Sequence, residues 1–189
     1  MKSLQLSRPH AIMMVGIPGS GKTQFAEQFA EMFGAPYIDS LVLESNSRDE
    51  AAASKLIGYT LGQLAKTKST FIFEGNSDSR VRRTEFSAWA KSKGYTPLFI
   101  WTQTDAATAL DRTLRSKSLT KEEFAQTVKA FSPPHASEKA VVISGKHTYA
   151  SQAKVVLKRL SEVNRPSTPA TPAARPVQKT DMRRSVTIQ

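Results

Sequence analysis

Apolar residues fall along the chain in two alternating rhythms. Short apolar runs at 11–15, 36–39, 70–73, 97–101 and 141–144 are too brief for helices and mostly lack polar alternation. Such runs predict strands buried on both faces. Between them lie longer stretches with helical spacing. Residues 21–33 place Phe25, Phe29, Met32 and Phe33 at helical intervals, and residues 48–66 carry a stripe of Ala52, Leu56, Tyr59, Leu61 and Leu64 interrupted by glycines. Residues 80–93 read as a helix stopped by Gly94. Asp105 is placed to cap a helix over 106–115, and Thr120 with Glu123 forms a capping-box pattern for a helix that ends near Phe131, before Pro133-Pro134. Residues 149–163 form a last amphipathic stretch.

Strands that alternate with helices indicate crossover connections and a parallel sheet. The expectation is an α/β domain over residues 1–163, with a five-stranded parallel sheet and helices on both faces. After Val163 the pattern stops. Residues 164–189 hold Pro166, Pro169, Pro172 and Pro176 among Ser, Thr, Ala and Arg. Too few large apolar side chains remain there to offset the entropy of ordering, so a disordered basic tail is expected.

Composition adjusts this picture modestly. The 189 residues contain no cysteine, which rules out disulfides, zinc–thiolate sites and thiol nucleophiles and fits a reducing cytoplasm. No apolar stretch approaches the roughly 20 residues needed to cross a bilayer, and the N-terminus lacks a signal-peptide core. A soluble, cytoplasmic protein with no membrane partner is expected. The net charge of +11 creates a field that attracts anions, nucleotides and nucleic acid among them. An ordinary basic surface is an equally good reading of charge alone.

The chemistry begins where the first strand ends. Gly16-Ile17-Pro18-Gly19-Ser20-Gly21-Lys22-Thr23 fits G-x-x-x-x-G-K-[ST] in full, between a buried strand and an amphipathic helix; Gln24 lies just beyond it. The glycines let the backbone wrap a phosphate, and its N–H groups form an anion nest. The helix that follows adds its own free N–H groups and dipole. Lys22 brings a positive charge to the β- and γ-phosphates, and the Thr23 hydroxyl is a ligand for Mg²⁺. ATP with magnesium is the expected cofactor, and a P-loop NTPase the expected fold.

Other residues gain meaning beside this loop. Glu74 ends the third strand and is placed to support the metal's water shell; a solvated or arginine-paired carboxylate at the sheet rim is the alternative. Asp39 ends the second strand and is a candidate base for an acceptor hydroxyl, with Glu44 as substitute; a capping or turn role competes. Arg112 and Arg115, three apart on one helix face, are candidates to stabilise a transferring phosphoryl group, or simply cations that favour a helix C-terminus. Arg80, Arg82 and Arg83 open a helix, where positive charge is mildly unfavourable. They read as an anionic-acceptor contact or as a solvated face. His10, His135 and His147 show no metal-ligand spacing.

The combination resembles the P-loop kinases grouped with polynucleotide 5′-kinases and zeta-toxin-like kinases. The loop at 16–23 is common to all P-loop proteins, including AAA-type ATPases. More telling are Phe73-Glu74-Gly75-Asn76 followed by Arg82-Arg83 and by Trp89-Ala90-Lys91-Ser92-Lys93-Gly94-Tyr95. Asp111-Arg112-Thr113-Leu114-Arg115, followed by a helix to Phe131-Ser132-Pro133-Pro134, is similar to the family's lid. The resemblance implies transfer of the γ-phosphoryl of ATP to a hydroxyl, of a nucleic-acid 5′ end or of a small nucleotide or sugar nucleotide. The chain departs from the family at Glu74, where aspartate is usual, and after Asp39, where no arginine follows until Arg48. A nucleotide-dependent binding or regulatory protein without transfer chemistry therefore stands as the alternative, and a nucleic-acid-binding ATPase using the tail as a third.

Overall fold

The structure, a computed structural model, describes Leu6 and residues 8–163; the expected tail at 164–189 lies outside the described residues. Five parallel strands form one sheet in the order β2-β3-β1-β4-β5. They are β1 (His10–Val15), β2 (Tyr37–Asp39), β3 (Phe71–Glu74), β4 (Thr96–Gln103) and β5 (Val141–Ser144). The helices are α1 (Lys22–Phe33), α2 (Ser40–Ser45), α3 (Glu50–Thr67), α4 (Arg80–Ser92), α5 (Ala106–Arg115), α6 (Lys121–Ala130) and α7 (Tyr149–Val163), with a 3-10 turn at Ala136–Glu138.

The central strand explains the two-layer core. Every residue of β1 is buried, and successive side chains of a strand point to opposite faces. Ile12 and Met14 join Phe25, Phe29, Ile72, Ile100, Val156 and Leu160 under α1 and α7. Ala11, Met13 and Val15 join Leu61, Phe71, Phe73, Phe86 and Phe99 under α3 and α4. The expected helices on both faces are thus present. β5 is an edge strand with one wet face, so Val142 is exposed while Val141 and Ile143 are buried.

Local chemistry sets the boundaries. Asp49, Ser79, Asp105 and Thr120 each accept a backbone N–H at a helix start, and Thr120 with Glu123 completes the capping box. Two readings need correction. A helix, α2, starts directly at the tip of β2 because Asp39 caps it through Leu41 N–H at 2.9 Å. The stripe on α3 is also partly out of phase: Ala53, Leu61 and Ala65 are buried, whereas Leu56 and Tyr59 are exposed. Leu61 and Leu64 of the predicted stripe do pack on the core, with Ile57, Ala53 and Ala65 completing the buried face. On α1, Met32 is likewise exposed beside the buried Phe25 and Phe29.

Among the described residues no helix is long and apolar enough to cross a membrane.

Candidate active site

Parallel register brings the chemistry to one line of strand tips. Asp39 pairs across the sheet with Glu74, and Glu74 with Met14, two residues before Gly16. The crevice beyond the carboxyl ends of parallel strands is where such sheets bind ligands. Here it is a cleft of about 640 Å³ that includes Gly16, Ile17, Pro18, Gly19, Gly21, Lys22, Thr23, Asp39, Glu74 and Arg112 on its walls. Ser20 belongs to the same loop but is fully buried beneath it.

The loop is held from behind. Gly19 has φ of 71°, and a Cβ there would run into the Ala109 carbonyl of α5, so only glycine fits. Gly145, just after β5, sits so close that a Cβ would strike the Ser20 carbonyl and the Thr104 hydroxyl. Thr104 donates to Ser20 O at 3.0 Å. Arg112 donates from one Nη to Gly145 O at 3.0 Å and to Gly19 O at 3.5 Å. The connections after β4 and β5 and the helix α5 therefore converge on the back of the loop.

In front, four side chains share one cluster. Lys22 Nζ donates to Ile17 O at 3.1 Å and lies 3.9 Å from Glu74 Oε1. Thr23 donates its hydroxyl to the same oxygen at 3.1 Å, and Tyr37 donates to Glu74 Oε2 at 2.9 Å. Burial raises the Glu74 carboxyl above its ordinary range, against the opposing pull of Lys22, Tyr37 and Thr23. The same burial lowers the Lys22 ammonium, against the opposing charges of Glu74 and Asp39. Burial first, then the negative charge of Glu74, pushes the Tyr37 phenol upward, so its hydroxyl stays a donor.

Magnesium prefers oxygen ligands and keeps several waters and phosphate oxygens beside one or two protein groups. The Thr23 hydroxyl and the buried Glu74 carboxylate, bonded to each other at 3.1 Å, fit that requirement. Among the described residues no cluster of three or more His, Cys, Asp or Glu is placed to hold a metal.

The remaining expectations divide. Asp39 lines the cleft and caps α2 through Oδ1, so the capping role is real. Its Oδ2 makes no hydrogen bond among the described residues. Arg112 reaches the loop, but Arg115 does not: it pairs with Asp111 at 2.9 Å, 79% exposed, outside the cleft walls. Glu44 lies in an adjoining cavity of about 570 Å³ with Asp49, Glu50 and Arg82; Asn76 lines both spaces. Arg83 is the clearest surprise. It is neither solvated nor available to an acceptor, being 0% exposed. Its guanidinium meets both Glu138 oxygens at 2.8 and 3.2 Å and the carbonyls of Ser77 and Ser132 at 2.8 and 2.9 Å. It staples the segment after α6 to the start of α4.

Sequence reading missed Tyr37, Thr104 and Gly145, and it gave Arg83 a surface or acceptor role in place of the buried pair with Glu138. Gly145, a lone glycine directly after a predicted strand, carried a usable signal of close approach. The others depend on partners far away in the chain.

Phosphate loop, sheet order and cleft define a P-loop NTPase fold. Solved structures agree. A gluconokinase from Sinorhizobium meliloti 1021 superposes with a TM-score of 0.64 at 17% identity, covering 82% of this chain and 94% of that one. Shikimate kinase from Acinetobacter baumannii, in complex with shikimate, gives 0.56 at 18% identity over 82% and 95%. Kti12 from Chaetomium thermophilum, in complex with ADP-AlF3, gives 0.64 at 15% identity over 82% and 100%. At these identities the likeness is one of fold, and it does not single out polynucleotide or zeta-toxin-like kinases. No protein-family model matches the sequence, and no curated protein does.

Proposed function

We propose that the protein is an ATP-dependent kinase that transfers the γ-phosphoryl group to a hydroxyl of a small acceptor. The observation that carries this reading is the Lys22–Thr23–Glu74 cluster, facing Asp39 across one cleft. The loop amides and Lys22 would hold the β- and γ-phosphates. Thr23 and Glu74 would hold magnesium, which supplies charge neutralisation on the phosphates. Arg112, steadied by the carbonyls of Gly19 and Gly145, would add positive charge beside the loop. Asp39 Oδ2 would accept the acceptor's proton as the new O–P bond forms and the bridging O–P bond to ADP breaks. Catalysis of this type is chiefly positioning and electrostatics.

The acceptor side speaks for an acceptor without phosphates. Asp39 stands at its entrance, and Glu44, Asp49 and Glu50 line the adjoining cavity against one arginine, Arg82. Arg82 is already paired with Asp78 at 3.5 Å. A polyanionic nucleic-acid end, or a nucleotide, would meet like charge there. Neutral or cationic polyols suit it better.

The test is transfer of label from γ-³²P-ATP to a panel of polyols and amino alcohols, with 5′-OH oligonucleotides alongside and Lys22→Ala as control. Label on a small alcohol, lost in Lys22→Ala, supports the reading. Nucleotide binding without transfer to any acceptor would favour the regulatory alternative, in which Asp39 serves only as the cap of α2.

A further inference from the structure

Glu74 divides its partners between its two oxygens. Oε1 accepts from the Thr23 hydroxyl at 3.1 Å and lies 3.9 Å from Lys22 Nζ, so it belongs to the phosphate loop. Oε2 accepts from the Tyr37 phenol at 2.9 Å. Among the described residues no other hydrogen bond reaches Oε2.

The sheet explains why a tyrosine of β2 reaches this oxygen. Tyr37 is paired in register with Ile72, and Asp39 with Glu74. The Pro36 carbonyl accepts the Ile72 N–H at 2.9 Å and fixes that level. Residues two apart on a strand point to the same face. Tyr37, Ile72 and Glu74 therefore share the face covered by α1, the helix that opens with Lys22 and Thr23. From the level of Tyr37 to that of Glu74 the sheet rises by two residues, about 6.6 Å. A tyrosine side chain spans that rise. Its ring packs against the core that contains Ile72, and the hydroxyl arrives at the carboxylate.

Such a bond matters to a glutamate in particular. Its carboxyl group hangs on three side-chain torsions, and the last of them is broad. Rotation about that bond turns Oε1 away from Thr23. With Oε2 held, the rotation is blocked. Glu74 is 7% exposed, so water has little access to take the place of the phenol.

We propose that Tyr37 is the positioning residue of the magnesium site, holding Glu74 Oε2 so that Oε1 stays turned to Thr23 and to the metal's water shell. The inference rests on the reading of Thr23 and Glu74 as the magnesium ligands. It adds a side chain from the acceptor half of the fold. Tyr37 is not on the cleft walls, so it acts through Glu74. A bond that only fastened the edge strand β2 to the sheet would change stability and leave metal affinity alone.

The experiment measures Mn²⁺ affinity by electron paramagnetic resonance on the full chain, in excess over the β,γ-imido analogue of ATP so that free nucleotide does not compete for metal. A parallel titration in EDTA gives the Kd of the metal-free analogue. Tyr37→Phe keeps the ring and its packing and removes the hydroxyl. It should weaken Mn²⁺ binding about tenfold or more, the scale on which outer partners tune a metal ligand, with the metal-free Kd nearly unchanged. In the Tyr37→Phe/Glu74→Gln protein Mn²⁺ should bind no more weakly than in Glu74→Gln alone, because Tyr37 then has no carboxylate to position. Mn²⁺ affinity that is unchanged in Tyr37→Phe but lost in Glu74→Gln overturns the role of Tyr37 and leaves the metal site standing. Equal losses of Mn²⁺ and metal-free affinity in Tyr37→Phe overturn it too, as the mark of a loosened fold. Mn²⁺ affinity that survives Glu74→Gln overturns the metal site itself, and the role of Tyr37 with it.

Discussion

The two sides of the cleft are built to different standards. On the donor side the phosphate loop follows the central, fully buried strand β1, and it is braced by Thr104, Arg112 and Gly145 from two other connections. On the acceptor side β2 has three residues at the sheet edge. The helix after it exposes Leu41 at 67% and Val42 at 56%. Few buried contacts and an edge position mark the low-stability end of a structure. A triphosphate always presents the same phosphates, so its cradle can be rigid. The proposed acceptor would meet the lightly held half, where variation in residues is tolerated. Glu74 joins the two halves, bonded to Thr23 of the loop and to Tyr37 of β2.

Substitutions on either side of the cleft test this contrast. The largest effect belongs to Lys22→Ala. It removes the charge at the phosphates, and transfer should fall by about 10³-fold or more, measured as kcat/KM for ATP. Asp39→Asn strikes the other side. It should lower kcat by about 10²-fold while leaving the Kd for ATP nearly unchanged, since Asn still caps α2. Equal losses in kcat and in ATP affinity would show that the two sides are not separable.

Gly145→Ala tests the brace from behind. The added methyl meets the Ser20 carbonyl and the Thr104 hydroxyl, an overpacking that costs about 1–3 kcal/mol. The expected readout is a Tm lowered by roughly 2–12 °C together with weaker nucleotide binding.

Glu74 predicts a pH dependence. Its carboxyl is raised in the folded state, mainly by burial, so the folded chain holds that proton to higher pH than the unfolded chain does. The associated stability is present below the unfolded value of about 4.3 and is lost as pH rises through the raised folded value. Glu74→Gln should flatten the pH dependence of unfolding across that weakly acidic window in urea titrations. Arg115→Ala should do least. Its ion pair with Asp111 is a surface i,i+4 pair, worth less than about 0.5 kcal/mol. Transfer should stay within about twofold of the parent, and a large loss would place Arg115 on a lid that closes over the nucleotide.

What the sequence revealed follows the range of the forces involved. The loop at 16–23, the five strands and the capping box at Thr120 are local patterns, read from neighbours in the chain. The positions of Glu74 and Asp39 on the cleft were legible because the crevice of a parallel sheet lies at the carboxyl ends of its strands. α2 was missed because it is short and starts inside what looked like a turn. The stripe on α3 was only partly in phase: Leu61 and Leu64 pack on the core beside Ala53 and Ala65, whereas Leu56 and Tyr59 face solvent. The Arg83–Glu138 pair spans 55 positions, and no periodicity in the chain announces it. Buried pairs of this kind are costly to break and contribute little net stability when intact, so they leave no compositional trace either. Arg115 shared a helix face with Arg112, yet only Arg112 turns toward the loop.

The most direct measurement of the central claim is label transfer from γ-³²P-ATP to a panel that pits neutral and amino polyols against 5′-OH DNA and RNA, run with the parent, Lys22→Ala and Asp39→Asn. Label on a small phosphate-free alcohol, abolished in Lys22→Ala and strongly reduced in Asp39→Asn, is the predicted result. Label only on the oligonucleotide ends, or transfer that survives Lys22→Ala, would contradict it.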